Sequence, residues 1–133
     1  SASVSSGSVD IEIGTNALNG ASVTARSTNG GLANVASGAH IINDLTADNY
    51  ADSYKFLSSA NPTDSTAPGF SQSGTANTEV NDSITNHTLY SSSRPQPVNN
   101  IDDFSFQIAA QPNAQTPAGD YRDLVIVTVT GNF

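Results

Sequence analysis

Residues 104–130 read FSFQIAAQPNAQTPAGDYRDLVIVTVT, and this stretch decides the fold class. Its first part, FSFQI, alternates apolar and polar residues, which is the pattern of a half-buried β-strand. The run Leu124–Thr130 is apolar on both faces at its start, which predicts a central strand that is buried on both sides. Turn-forming residues separate the two runs at 116–120, TPAGD. We therefore expect a long antiparallel hairpin that pairs residues 103–110 with residues 121–130.

The rest of the chain repeats this pattern of short strands and turns. Three further runs carry an apolar residue at every second position, namely 9–13, 21–25 and 54–56. Asn19-Gly20 and Asn29-Gly30-Gly31 contain residues that tolerate positive φ, so each predicts a hairpin turn. Strong helix formers are sparse. We expect an all-β protein that forms an antiparallel β-sandwich, immunoglobulin-like or pilin-like.

The length and the loop composition predict how the domain is organised. The chain has 133 residues, which fit a single domain. Residues 58–78 place prolines and glycines among serines and threonines, which predicts a long loop excursion in the middle of the sandwich. We divide the chain into an N-terminal arm, residues 1–8, and one β-sandwich domain, residues 9–133.

The composition excludes several classes of partner and site. Cysteine is absent, so the chain offers no disulfide, thiolate zinc site or cysteine nucleophile. A net charge of -8 repels phosphate backbones and anionic lipid, which argues against nucleic acid and membrane surfaces as partners. No apolar run is long enough to span a bilayer, so we expect no membrane insertion. The missing methionine suggests that a leader has been removed before Ser1. The removed leader and a surface rich in hydroxyl and amide groups together predict a secreted, extracellular or cell-surface protein.

Two groups of aspartates are weak candidates for calcium ligands, because carboxylates suit hard cations. The first group, spaced four residues apart as on one helix face, is Asp44, Asp48 and Asp52. The second group, expected at one end of the predicted hairpin, is Asp102, Asp103, Asp120 and Asp123. Neither group has the glycine and bidentate glutamate of an EF-hand, and the alternative for each is a solvated acidic surface. We therefore assign no metal or cofactor.

The two histidines, His40 and His87, stand in no recognisable catalytic motif. No serine lies in a GxSxG elbow. Tryptophan is absent, so the chain has few aromatic rings on which a sugar could stack in a binding cleft. We therefore predict that the protein is not an enzyme. Asn81 and Asn86 match the N-glycosylation pattern, which chance also produces in a chain rich in asparagine, serine and threonine.

The N-terminal segment is the strongest candidate for assembly, because its apolar residues at alternate positions would let it join a neighbouring sheet as a strand. Burying such a side chain stabilises a contact by roughly 1.5–3 kcal/mol. The alternative is that residues 9–13 pair within their own subunit. For residues 1–6 we favour exchange with another copy, because they carry too few apolar side chains to anchor them to their own subunit. The residues predicted to take part in self-assembly are Ala2, Val4, Val9, Ile11, Ile13, Val125, Val127 and Val129.

Two segments resemble known envelope proteins: IEIGTNALNGASVTARSTNGGLA, residues 11–33, and FSFQIAAQPNAQTPAGDYRDLVIVTVTGN, residues 104–132. They are similar to β-sandwich surface proteins of bacterial envelopes, namely pilin-like, WxL-like and spore-coat-U-like subunits. In those proteins a PAGxY turn, here 117–121, leads into a last strand rich in threonine and valine. The resemblance implies a β-sandwich, surface display and, in some members, assembly by a donated strand. The chain lacks the cysteines of many usher-type subunits, a WxL motif and a sortase signal, so the resemblance leaves the mode of anchoring open.

These observations lead to one main hypothesis about function. The protein is expected to be a structural subunit of an extracellular filament or surface assembly that polymerises head-to-tail by strand donation from the N-terminal arm. Because such a contact does not close on itself, it produces a fibre. One alternative is a monomeric adhesin or ligand-binding module whose site lies in residues 58–100. A further alternative is a viral capsid or decoration protein, which shares the sandwich class and a swapped arm.

Overall fold

The computed structural model contains β-strands and connecting loops, and it describes residues 5–14, 16–36, 40–43, 52–61, 77–92, 95 and 102–133. At residues 5, 59–61, 77, 78 and 102–104 only the backbone is described. The ten strands are β1 (Ser5–Ile13), β2 (Ala21–Ser27), β3 (Leu32–Asn34), β4 (Ile41–Ile42), β5 (Ser53–Asn61), β6 (Asn77–Glu79), β7 (His87–Ser91), β8 (Asp102–Gln111), β9 (Tyr121–Arg122) and β10 (Val125–Gly131). No helix occurs in these ranges, so they contain no helix that could span a bilayer.

These ten strands form three sheets, and within each sheet every pair of neighbouring strands is antiparallel. Sheet 1 has the order β1-β8-β5-β6, sheet 2 has the order β10-β2-β7, and sheet 3 has the order β4-β3-β9. The prediction of an all-β, antiparallel fold is therefore confirmed.

Sheets 1 and 2 share one hydrophobic core, and the alternating sequence pattern explains it. In β2 every second residue is buried, as period-2 alternation requires when one face of a strand packs inward. Phe56 of β5 lies at the centre of a set of edge-to-face aromatic contacts, with ring centroids 5.3 Å from Phe106, 5.5 Å from Tyr54 and 5.6 Å from His87. Because His87 belongs to sheet 2 and the other three to sheet 1, these rings join the two sheets.

The predicted C-terminal hairpin is wrong. Strand β8 pairs with β1 and β5 in sheet 1, whereas β10 pairs with β2 in sheet 2. Between them, β9 pairs with β3 in sheet 3, so the chain visits a different sheet before it reaches β10. The turn residues at 116–120 therefore serve a crossover between sheets, a role that a local turn signal does not distinguish from a hairpin.

The two glycine turns are confirmed as turns but not as hairpins. Gly20 and Gly30 adopt positive φ of 82° and 73°. Each turn joins strands of different sheets, since β1, β2 and β3 belong to sheets 1, 2 and 3. At Gly20 a Cβ atom would lie 2.3 Å from the carbonyl oxygen of Ser92, so close approach of the backbone also requires glycine there.

Tyr121 fixes the crossover that precedes β10. Its hydroxyl donates a 2.7 Å hydrogen bond to the carbonyl of Pro117, four residues upstream in the PAGDY segment. A tyrosine that caps its own preceding loop in this way resembles the tyrosine corner of β-sandwich domains. The turn predicted from these residues is thus held by a side-chain hydrogen bond that the sequence pattern alone does not specify.

Candidate functional site

The core-facing side of β10 is uncovered. Val127 pairs with Ala25 and Val129 pairs with Val23, so these valines lie on the same face of sheet 2 as the buried residues of β2. Ala25 and Val23 are fully buried, yet Val127 is 42% exposed and Val129 is 60% exposed. The face that carries the core in β2 is therefore open to solvent one strand further along.

Within the part of the chain that the structure describes, the outer edge of β10 pairs with no other strand. β10 is the last strand of sheet 2 there, and it pairs with β2 on its inner side. At its two ends, the N–H of Asn132 donates to Gly20, and the carbonyl of Leu124 accepts from Thr28. Because hydrogen-bonding direction alternates along an antiparallel strand, the even-numbered residues face β2, and the odd-numbered residues from Val125 to Gly131 face the free edge. An exposed edge of this kind is a template for pairing with another strand.

The prediction of a doubly buried central strand at Leu124–Thr130 is therefore wrong, because this segment forms most of β10, an edge strand that is largely exposed. Residues 124–133 contain no charged side chain that would protect the edge. The exposed large apolar side chains in this segment are Leu124, Ile126, Val127, Val129 and Phe133. The sequence pattern located the strand but not its position in the sheet, because apolar residues on both faces do not distinguish a buried strand from an exposed edge strand.

Three of the residues predicted to take part in self-assembly lie in β1, which is an edge strand of sheet 1 among the described strands. Val9, Ile11 and Ile13 pair with residues 106, 104 and 102 of β8 in the same chain. Exposure rises along the strand toward its N-terminus: Ile13 is buried, Ile11 is half-buried against the core, and Val9 is 61% exposed. The two remaining arm residues, Ala2 and Val4, lie outside the described residues.

The buried side chains of His40 and Asp52 and the half-buried side chain of Thr116 form a polar cluster that holds the crossover loop against the strands. The Nε2 atom of His40 lies 2.7 Å from Oδ2 of Asp52, and the Thr116 hydroxyl donates to the same oxygen at 3.1 Å. Because Thr116 bonds the acid and not the imidazole, this geometry differs from a nucleophile–histidine–acid triad. No sequence spacing could have found it, since Asp52 and Thr116 are 64 residues apart.

The structure places the calcium candidates in different surroundings. Asp52 belongs to the polar cluster, and Asp123 accepts hydrogen bonds from the Tyr54 hydroxyl at 2.9 Å and the Asn29 N–H at 3.3 Å. Burial and the neighbouring Asp123 raise the pKa of Tyr54 above its ordinary value, so its hydroxyl keeps its proton and remains a donor. Asp120 is exposed. Asp44 and Asp48 lie outside the described residues, as do the side chains of Asp102 and Asp103. Among the described side chains, no three acidic or histidine groups come close enough to hold a metal.

His87 and the two asparagine motifs lie around the turn before β7. His87 begins β7, and its ring packs edge-to-face on Phe56. Burial lowers the pKa of His87, and the nearby Asp82 carboxylate partly opposes that shift. The pKa of Asp82 is itself lowered, mainly because the Thr85 hydroxyl donates to it. Asn81 and Asn86 are both exposed, so either amide is accessible to a modifying enzyme.

Comparison with known proteins adds no family to these observations: no family model, no curated protein and no solved structure matches the chain. The resemblance to envelope surface proteins therefore stays a prediction, and the exposed edge of β10 is the feature of the fold that points most directly to a function.

Proposed function

We propose that the protein is a structural subunit of a secreted, extracellular filament or surface assembly in which the N-terminal arm, residues 1–8, of one copy pairs with the free edge of β10 in the next. The observation that carries this proposal is the exposure of Val127 and Val129 on the core face of an edge strand whose outer side pairs with no other described strand. A single added strand would satisfy the backbone groups of that edge and cover both valines.

The proposal includes a β-sandwich formed by sheets 1 and 2. The contact between Phe56 of β5 and His87 of β7 supports face-to-face packing of these sheets. Strands β6 and β7 follow each other directly in the chain and stand at one end of each sheet order, so we place β1 and β10, at the other ends, along the same side of the sandwich. Val9, Val127 and Val129 would then line an open groove between the two edges.

Length and charge favour the arm of a second copy as the occupant. Seven residues of β10 extend over about 23 Å, and eight extended residues of the arm reach about 27 Å, so the arm can pair along the whole edge. Neither the arm nor residues 124–133 carries a charged side chain, so their association costs little desolvation. Completing the burial of Val127 and Val129 would contribute about 1 kcal/mol each, in addition to the net gain of about 1 kcal/mol per new hydrogen bond.

The geometry of such a contact would produce an open-ended polymer. The donated segment and the accepting edge are different parts of the surface, so the contact is head-to-tail and leaves a free arm at one end and a free β10 at the other. Copies of the same chain are therefore the partners that we propose.

Negative-stain microscopy and light scattering test the proposal. We expect filaments from the full chain and monomers from a twin that lacks residues 1–8. A Val127→Thr, Val129→Thr variant should also remain monomeric. Its matched control, Leu124→Thr, Ile126→Thr, changes the opposite face of the same strand and should still assemble. A full chain that stays monomeric at high concentration would contradict the proposal and favour a monomeric binding module.

A further inference from the structure

We propose that β1 consists of two parts with different roles, a releasable segment at residues 5–8 and a fixed anchor at residues 9–13, and that the edge of β8 stores the releasable segment in the free subunit. This inference rests on the proposed function, because it states where residues 5–8 of the donated arm lie before donation. It identifies residues 107–110 of β8 as a second docking surface for the same arm, in competition with β10 of a neighbouring copy.

The anchor is held by the core. Ile13 is buried, and Ile11 packs against the core cluster that joins sheets 1 and 2. Immediately after the anchor, the connection to β2 is also fixed: Ala17 is fully buried, and Asn19 donates to the carbonyl of Asn132 at 2.9 Å. Pulling Ile11 and Ile13 away from the core would expose apolar surface on both sheets. The free-energy cost of that exposure keeps residues 9–13 in place.

The releasable segment has no comparable hold. Ser6, Gly7 and Ser8 are exposed, and a Cβ atom added at Gly7 would meet nothing within 4 Å. The β8 residues opposite them, 107–110, are only half-buried although β1 lies beside them. This segment is therefore attached mainly through backbone hydrogen bonds, and a similar number would form on the free edge of β10.

The exchange thus replaces one set of backbone pairs by another and gains the burial of Val127 and Val129. Glycine at position 7 suits such a transfer, because it adds no side chain that either edge must accommodate. Storage on β8 also has a protective effect: it keeps residues 5–8 of a free subunit paired, and it covers part of an edge that would otherwise be open to uncontrolled pairing.

Engineered disulfides can test this division, because the chain has no cysteine of its own. Ser6 is opposite Ala109, and Asp10 is opposite Ser105, so each pair lies within disulfide reach across the β1–β8 ladder. Ser6→Cys with Ala109→Cys locks the releasable segment, whereas Asp10→Cys with Ser105→Cys locks the anchor four residues away. All four positions lie on the face of the sheet opposite to the buried Phe106, so both locks leave the core intact.

We expect the oxidised Ser6–Ala109 lock to lose at least ten-fold in filament yield and to regain it after reduction, while the oxidised Asp10–Ser105 lock assembles like the unmodified chain. Assembly blocked by both locks would overturn the division of β1, because the whole strand would then have to leave. Assembly blocked by neither lock would overturn the inference that the stored segment is the donor.

Hydrogen exchange on the free subunit keeps this inference separate from the proposed function. The paired amides of residues 5–8 should exchange at least ten-fold faster than the paired amides of residues 10–13. Equal protection along the whole of β1 would overturn the two-part strand even if filaments form. A full chain that shows the expected exchange but no filaments would support the two-part strand and reject the proposed function.

Discussion

Val23 and Val129 are directly paired in sheet 2, carry the same side chain and face the same way, yet Val23 is fully buried and Val129 is 60% exposed. Their strands differ in what surrounds them. Among the described strands, β2 has a partner on each side, whereas β10 has a partner on one side only. The direction of a side chain is therefore set by the pleat of its own strand, but its burial depends on whether another element covers it. β10 has the sequence of a covered strand and the position of an uncovered one.

The largest effect expected from this comparison concerns an aspartate placed at either of the two positions. Val23→Asp would put an unpaired charge into the core and should destabilise the folded state by about 4 kcal/mol or more. Val129→Asp would leave its carboxylate in water and should cost less than about 1 kcal/mol in the free subunit. Urea unfolding followed by circular dichroism measures both. Equal losses at the two positions would mean that Val129 is covered in the free subunit, which would remove the proposed docking edge.

A second pair of variants tests the direction of the backbone groups on β10. Thr128 should present its N–H to β2, and Val127 should present its N–H to the free edge. Thr128→Pro removes a ladder hydrogen bond and should destabilise the subunit by about 2–4 kcal/mol. Val127→Pro should cost at least about 1 kcal/mol less, because proline is tolerated where the N–H faces away from the sheet.

The proline pair also separates folding from assembly. Val127→Pro should leave a folded subunit, as shown by an unchanged near-ultraviolet spectrum, but it should fail to form filaments because a donor strand loses one of its hydrogen-bond partners. Filaments that form normally from Val127→Pro would show that the free edge of β10 takes no part in assembly.

The same contrast explains how much of the fold the sequence predicts. Alternation correctly located strands at 9–13, 21–25, 54–56 and 104–108, because it depends only on the two faces of one strand. Pairing depends on the whole chain, so the expected hairpin between 103–110 and 121–130 was wrong although both strands exist. The turn at Asn19-Gly20 shows the same limit: its local geometry follows from glycine, but its neighbours lie in different sheets.

The candidate site was only partly predictable for a related reason. The sequence nominated Val125, Val127 and Val129 because they are apolar at alternate positions, and the structure places them on one face of β10. Their exposure could not be read from the pattern, because the same apolar alternation is buried in β2 and exposed in β10. The polar cluster of His40, Asp52 and Thr116 left no signal at all, because its members meet only through the fold.

The smallest effect concerns the other edge of sheet 2, where β7 lies against sheet 1 instead of facing solvent. His87 at the start of β7 packs on Phe56, and the Nε2 atom of its ring is buried without a hydrogen-bond partner. Burial lowers the pKa of His87 in the folded protein below its ordinary 6.5, so the unfolded chain takes up this proton first as the pH falls. The contribution of His87 to stability is thus complete above pH 6.5 and is lost as the pH falls from there through the lower pKa of the folded protein.

A His87→Phe variant keeps an aromatic ring against Phe56 but cannot titrate. Between about pH 7.5 and about pH 5, the thermal unfolding midpoint of the unmodified chain should therefore fall further than that of the variant. His40 is present in both proteins and cancels from the difference. Equal falls in the unfolding midpoint would mean that His87 accepts a proton as readily in the folded subunit as in the unfolded chain. The β7 edge would then be no better covered than the β10 edge.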